Sequence, residues 1–159
     1  MTDTIADRLQ RLGHRLPDAS GPAANYVPVA RVGALAFISG QIAPFAEGDV
    51  PSARLGAELS VEQGQAAAAA AALSVLAQID RLVAGDPSRV RRVARLGVFV
   101  AATPDFTQHS LVGNGASDLI VAVLGEAGRH ARAAVGVASL PRGAAVEVEA
   151  IVELQGMDV

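Results

Sequence analysis

Hydrophobic and polar positions alternate in the last stretch of the chain, and this period of two predicts a β-strand over residues 144–154. One face of that strand carries Val146, Val148, Ala150 and Val152, and the other carries Glu147, Glu149, Ile151 and Glu153. Residues 26–40 predict a hairpin with its turn near residues 31–33. Because Pro28 cannot donate to a strand ladder, we expect the first strand of this hairpin at a sheet edge.

Two other segments have the pattern of helices. The segment over residues 61–84 begins with a capping-box pair, Ser60 and Gln63, and stops at Gly85. Its seven consecutive alanines favour a helix whose backbone can approach a sheet closely. A second helix is predicted over residues 110–124, where Gly125 closes it.

The remaining strands complete an α+β pattern. Residues 90–101 become wholly apolar and predict a central strand, and residues 131–138 predict a strand joined to the last one by a short turn. The order β-β-α-β-α-β-β predicts a sandwich in which two helices cover one face of a sheet. A hairpin of the last two strands would place Arg132 opposite Ile151, on the face of Glu147 and Glu149. We expect another subunit to cover that mixed face.

The length of the chain, 159 residues, predicts one domain. We expect a single body over residues 25–159, with an N-terminal arm over residues 1–24 that lies on it. Hydrophobic residues make up 51% of the chain and charged residues 18%, which excludes a disordered protein. No apolar run reaches the ~18 residues of a membrane span, and no signal peptide is evident, so we expect a cytoplasmic protein without a membrane partner.

The reactive side chains narrow the chemistry further. The chain has no cysteine, which excludes disulfides, thiolate metal ligands and cysteine nucleophiles. All 13 basic residues are arginines, so no lysine can form a Schiff base. The net charge of −3 disfavours a nucleic-acid partner.

Two charged residues are candidates for a site. Arg132 shares its strand face with Ala134 and Gly136, which leave room for bidentate capture of a carboxylate or phosphate. The alternative is an arginine that is paired structurally with Glu149 or another acid. Glu147 could hold a proton or a water beside a bound anion, or it could be a solvated carboxylate of the last strand.

Other motifs carry less chemistry. The sequence Gly113–Asn114–Gly115 fits neither the dinucleotide nor the Walker spacing, and Asn114 or Ser117 could cap a helix. The three histidines lack a metal-binding spacing, so we expect no metal and no other cofactor. Ser39 lies outside any nucleophile-elbow motif.

Four blocks of sequence together resemble the RidA/YjgF/YER057c/UK114 family. They are, in order, NYVPVARVGALAFISGQIAP, VFVAATPDF, NGASDL and HARAAVGVASLPRGAAVEVEAIVEL, and the resemblance covers about residues 22–154. The arm and the last block are similar to a longer-chain subgroup that is often labelled endoribonuclease L-PSP-like.

The resemblance implies a chorismate-mutase-like α+β fold and a homotrimer with clefts between subunits. It also implies hydrolysis of 2-imino and enamine acids, such as 2-iminobutanoate or 2-aminoacrylate, to 2-oxo acids and ammonia without a cofactor. Two alternatives stay open: a non-catalytic or chaperone-like trimer that binds small carboxylates, and an endoribonuclease. The sequence pI of about 5.5 and the absence of lysine disfavour the endoribonuclease.

The resemblance also assigns roles to individual residues. Arg132 matches the arginine that grips the substrate carboxylate, and Glu147 matches the glutamate that positions or activates water. The residues that match lining positions of the cleft are Tyr26, Ser39, Gly40 and Asn114. Two positions depart from the family pattern: Ala134 stands where many members have cysteine, and Gly136 stands where the residue is often acidic.

Overall fold

The computed structural model of the protein describes residues 3–43 and 53–156. Within these ranges three α-helices and five strands follow one another, with short 3₁₀ turns between some of them. In chain order they are α1 Ile5–Arg11, β1 Val29–Val32, β2 Leu35–Ile42, α2 Val61–Val83, β3 Val90–Ala101, α3 His109–Leu124, β4 Ala131–Val137 and β5 Val146–Leu154. Residues 44–52, which the sequence predicts to be part of a surface loop because prolines and glycines recur between residues 41 and 59, lie outside the described residues.

The strands form one mixed sheet in the order β1-β2-β5-β3-β4. The β3–β4 pair is parallel, and the other pairs are antiparallel. The predicted hairpin is confirmed as β1 and β2, with Pro28 directly before the edge strand β1. The predicted α+β class, the central place of β3 and the two helices on one face are confirmed as well.

The prediction that β4 and β5 form a hairpin is wrong. Helix α3 connects β3 to β4, and a strand–helix–strand unit returns its second strand parallel to the first. Strand β3 therefore lies between β4 and β5. The connection from residue 138 to residue 145 passes the end of β3 and is not a hairpin turn.

This topology also reverses the face predicted for Arg132. Arg132 pairs with Leu96 of β3, and Leu96 pairs with Ala150 of β5, not with Ile151. Leu96 and Ala150 are buried under the helices. Arg132 therefore lies on the helix face of the sheet, while Glu147 and Glu149 lie on the other face, which we call the open face.

Helix α2 lies at the centre of the core, because its first turn is capped and its apolar face is buried against the sheet and α3. Ser60 and Gln63 make both hydrogen bonds of the predicted capping box. By length and composition α2 would also suffice to span a membrane, but half of its most apolar window is buried in the fold, as in a core helix. It approaches α3 so closely that a Cβ on Gly115 would overlap the backbone carbonyl of Gln65.

The first helix docks the start of the chain onto the same core. Ile5 and Leu9 have no exposed surface. Arg8 Nη1 donates to the carbonyl oxygen of Val123 at 2.9 Å, which joins α1 to the end of α3. The segment treated as an arm in the sequence analysis thus contributes two large side chains to the hydrophobic core.

Gly115→Ala is expected to destabilise the fold by about 2 kcal/mol. Overpacking against a backbone that cannot move costs about 3 kcal/mol, and alanine recovers only about 1 kcal/mol relative to glycine within a helix. Denaturant unfolding followed by circular dichroism measures the change. Gly21→Ala is the control, since a Cβ there meets no atom within 4 Å. Equal stability of Gly115→Ala and the wild type would contradict the close packing of α2 on α3.

Candidate functional site

Arg132 is held against the underside of helix α3 by three uncharged acceptors. Its Nη1 donates to Asn114 Oδ1 at 3.1 Å and to Ser117 Oγ at 2.9 Å, and its Nη2 donates to the Ser110 carbonyl at 3.0 Å. In the described part of the chain no carboxylate is bonded to this guanidinium. The predicted alternative, a structural pair with Glu149, is wrong, because Glu149 binds Arg95 at 2.8 Å.

The guanidinium keeps donors for a ligand. Arginine has five N–H groups, and the three hydrogen bonds that Arg132 makes to α3 leave one N–H on Nε and one on Nη2. Two donors are what a bidentate carboxylate takes. The small neighbour Ala134 leaves space beside the side chain, as the sequence predicts.

The glycine at position 136 is required by the neighbouring side chain of His109. A Cβ at this position would overlap the His109 ring, which packs edge-on against Phe106 with ring centroids 5.2 Å apart. An acidic side chain at position 136 would displace that ring. Position 136 therefore departs from the family pattern because His109 occupies the space that a side chain there would need.

Glu147 lies on the open face of the sheet. It pairs with Ile42 and Phe99 on the adjacent strands, and no hydrogen bond or ion pair to it occurs among residues 3–43 and 53–156. Burial raises the pKa of its carboxyl above the usual value, and the negative charge of Glu149 raises that pKa further. Glu147 is thus the carboxylate of β5 that is available to exchange a proton.

The backbone of β2 makes room for this carboxylate. The β2–β5 ladder shifts register between Ile38 and Gln41, so Ser39 and Gly40 form a bulge. A Cβ on Gly40 would overlap the Glu147 carboxylate, so only glycine lets the side chain lie across the strand. Ser39 Oγ donates to the Val27 carbonyl at 2.8 Å and holds the preceding segment in place.

A cavity of about 360 Å³ opens beside Glu147. One wall comes from residues 18–23 of the arm and from Tyr26, whose hydroxyl accepts from the Ala23 N–H at 3.3 Å. The arm is anchored there by two buried glutamines: Ser20 Oγ donates to Gln41 Oε1 at 3.2 Å, and Gln78 Nε2 donates to the Ser20 carbonyl at 2.8 Å.

The predicted site residues therefore form two clusters within one chain. Arg132 and Asn114 lie together under α3, whereas Tyr26, Ser39, Gly40 and Glu147 lie together at the bulge of β2. Asn114 and Ser117 are inside α3 and cap nothing, because that helix begins at His109. Sequence reasoning missed Ser110, Ser117 and His130 in the first cluster and the anchors Ser20 and Gln41 in the second. It also missed Asp18 and Arg142, which line the cavity.

A spacing signal could have found the first anchors. Ser110, Asn114 and Ser117 are four and three residues apart, which is the spacing of one helix face. The anchors in the second cluster come from distant segments, and no local pattern joins them. Within the described ranges, no three His, Asp or Glu side chains are grouped as metal ligands.

Comparison with known proteins matches the whole body of this fold. The family model described as "YjgF/chorismate_mutase-like, putative endoribonuclease" matches residues 6–154. The chain is 54% identical over 151 residues to Protein TCP17 of Trypanosoma cruzi, covering 94% of each.

Solved structures agree with this match. The protein Atu1372 of Agrobacterium tumefaciens is 47% identical with a TM-score of 0.87, over 96% of this chain and 94% of the other. A "putative endoribonuclease" from Shewanella oneidensis is 32% identical with a TM-score of 0.86, over 95% and 99%. More distantly, the chain is 26% identical to E. coli TdcF, solved with bound serine, with a TM-score of 0.59 over 85% and 92%.

These matches confirm the resemblance drawn from the four sequence blocks. They cover nearly the full length of the chain, and the mixed five-stranded sheet with helices on one face agrees with them. The chain belongs to the YjgF/chorismate mutase-like family and has that family's fold.

Proposed function

We propose that the protein hydrolyses small 2-imino and enamine acids to 2-oxo acids and ammonia, at clefts between the subunits of a homotrimer. The observation that carries this proposal is a pair of incomplete half-sites. Among residues 3–43 and 53–156, Arg132 has unused donors and no acid partner, while Glu147 has a raised pKa and no base partner. The two side chains lie on opposite faces of the sheet. A second copy brings one half to the other.

The open face supports the association of subunits. It exposes Leu35, Phe37 and Val135 at 37%, 39% and 46% of their surface, next to the small side chains of Ala131 and Ala133. Apolar surface of this kind is typical of a surface that another protein covers. Glu147 lies on the same face, so a neighbouring subunit that covers it would also close the cavity.

A relative supports the class of ligand. The E. coli protein TdcF, to which this chain is similar, was solved with serine, a small amino acid with a free carboxylate. Arg132 offers the two donors that a carboxylate requires, and the cavity beside Glu147 accommodates a molecule of that size.

Hydrolysis of an imine requires an oriented substrate and a group that accepts a proton from water, and it does not require a cofactor. The carbon of an iminium group is already electrophilic, and Arg132 would hold the acid so that this carbon faces a water at Glu147. Water adds to the carbon while Glu147 takes one of its protons. Glu147 then protonates the nitrogen, and ammonia leaves with the hydroxyl proton as ammonium, which yields the 2-oxo acid. A carboxylate with a raised pKa is a stronger base for this step.

The charges disfavour cleavage of RNA as the activity. Three arginines of β3 could have met a phosphate backbone, but Arg91 and Arg92 bind Glu153, and Arg95 binds Glu149. The net charge of −3 points the same way. Salt-sensitive cleavage of RNA by the purified protein would overturn this argument.

Arg132→Ala is expected to lower kcat/KM for freshly generated 2-iminobutanoate roughly 100-fold, because a charge-assisted bidentate contact is lost. The measurement is 2-oxobutanoate release above the uncatalysed background, with sedimentation to confirm an unchanged assembly. Arg129→Ala is the matched control, since Arg129 is exposed and pairs with the exposed Glu126. A wild-type rate equal to that of buffer would overturn the deaminase and leave carboxylate binding as the function.

Glu147→Gln is expected to abolish turnover while the protein stays at least as stable as the wild type at pH 7. Because the folded protein raises the pKa of this carboxyl, the folded state binds its proton more tightly than the unfolded state. Stability is therefore lost as the pH rises from the ordinary glutamate pKa through the raised one, and glutamine removes this loss. Chemical denaturation at pH 4 and pH 7 measures the difference in the free energy of unfolding between Glu147→Gln and the wild type. This difference should be smaller at pH 4 than at pH 7.

Glu153→Gln is the control for that experiment. Its carboxylate pairs with Arg91 and Arg92, so its loss should lower stability at pH 7 by up to about 1 kcal/mol and leave turnover intact. If Glu147→Gln were the less stable variant at pH 7, the carboxylate of Glu147 would be a structural ion and not an uncompensated one.

A further inference from the structure

The histidine that precedes β4 has a defined tautomer. His130 Nδ1 lies 2.6 Å from the carbonyl oxygen of Gly128, and a carbonyl can only accept, so Nδ1 carries the proton. The other ring nitrogen of the neutral histidine then has only a lone pair. It lies 2.8 Å from Ser117 Oγ, so the Ser117 hydroxyl donates to it.

This direction makes Ser117 an acceptor for Arg132. Once its single proton points at His130, the hydroxyl oxygen presents lone pairs to the remaining neighbour, Arg132 Nη1, at 2.9 Å. Without an acceptor at His130, the hydroxyl would rotate freely and could turn its proton toward the guanidinium. The relay from Gly128 through His130 and Ser117 therefore orients one N–H of Arg132.

The first member of the relay is itself held rigidly. A Cβ on Gly128 would lie 2.6 Å from the carbonyl oxygen of Ile120, so only glycine lets this turn pack so closely on α3. The relay thus joins the turn after α3, the face of α3 and the start of β4.

The relay is uncharged, and this distinguishes Arg132 from the arginines of β3. Arg95 is bonded to a carboxylate, which neutralises it. Arg132 is bonded to an amide, a hydroxyl and a carbonyl, which order its side chain and leave its full positive charge for a ligand. Ordering a long side chain before binding removes its conformational entropy cost from the binding step.

We propose that Ser117 and His130 are positioning residues for the carboxylate-binding guanidinium of Arg132, which they orient without neutralising it. The proposal rests on the carboxylate-binding role given to Arg132 in the proposed function. Neither side chain touches the substrate or the reacting atoms; each acts through Arg132. The occupant that they prepare for is the carboxylate group of a 2-imino or 2-oxo acid.

The test compares 2-oxobutanoate binding, measured by titration calorimetry, with turnover of 2-iminobutanoate in the intact protein. Ser117→Ala and His130→Leu should each weaken 2-oxobutanoate binding about tenfold, as expected for one hydrogen bond to a charged group. KM should rise by the same factor, with kcat within about twofold of the wild type. Ser117→Thr keeps the hydroxyl and should restore wild-type affinity. His14→Gln, on an exposed turn, is the control.

A carboxylate in place of the hydroxyl separates orientation from charge. Ser117→Asp keeps an acceptor beside Arg132 but neutralises it, and should weaken 2-oxobutanoate binding more than Ser117→Ala does. If Ser117→Asp bound as tightly as the wild type, the uncharged character of the relay would be irrelevant and the proposal would be wrong.

A double-mutant cycle excludes a merely structural effect. In an Arg132→Lys background, Ser117→Ala should cause no further loss of affinity, because its effect passes through the guanidinium. A further tenfold loss in that background, or wild-type affinity in the single variants, would overturn the proposal while the wild-type turnover still upheld the proposed function. Absence of both 2-oxobutanoate binding and turnover in the wild type would instead overturn the function and, with it, this role.

Discussion

The parallel ladder between β3 and β4 beneath helix α3 determines where each candidate functional group lies. Because α3 returns the chain alongside β3, strand β4 presents Arg132 to the helix, and β3 separates it from the carboxylates of β5. One chain thus divides its chemistry between two surfaces. Within one chain, Arg132 and Glu147 are therefore kept apart on opposite faces of the sheet.

The protein uses its charged side chains in two different ways. On the open face, Arg92 and Arg95 are paired with Glu153 and Glu149, and these pairs cancel their charges. Arg132 is ordered by neutral groups, and burial with a neighbouring negative charge raises the pKa of the Glu147 carboxyl. Groups left uncompensated in this way are typical of functional sites, because folding alone would favour their neutralisation.

Local signals in the sequence were sufficient for most of the elements. Capping residues at Ser60 and the alternation of β5 set the element bounds within a few residues of those observed. Strand partners were not predictable, because alternation shows that a strand has two faces and not which strand lies beside it. The short connection over residues 138–145 has the composition of a turn yet passes β3. The face predicted for Arg132 was wrong for that reason. Tyr26 and Gly40 were found through the family resemblance alone, whereas Arg132 and Glu147 were already candidates from their strand positions.

The N-terminal arm belongs to the core and to the cavity at once. Its first helix buries Ile5 and Leu9. Its later residues form a cavity wall, which is held by the hydrogen bonds of Ser20 with Gln41 and Gln78. A mutation that shortens or displaces the arm therefore changes both the shape of the cavity and the free energy of unfolding. The shape of the cavity and the stability of the fold are therefore coupled through one segment of the chain, whereas the walls formed by β2 and Glu147 do not involve that segment.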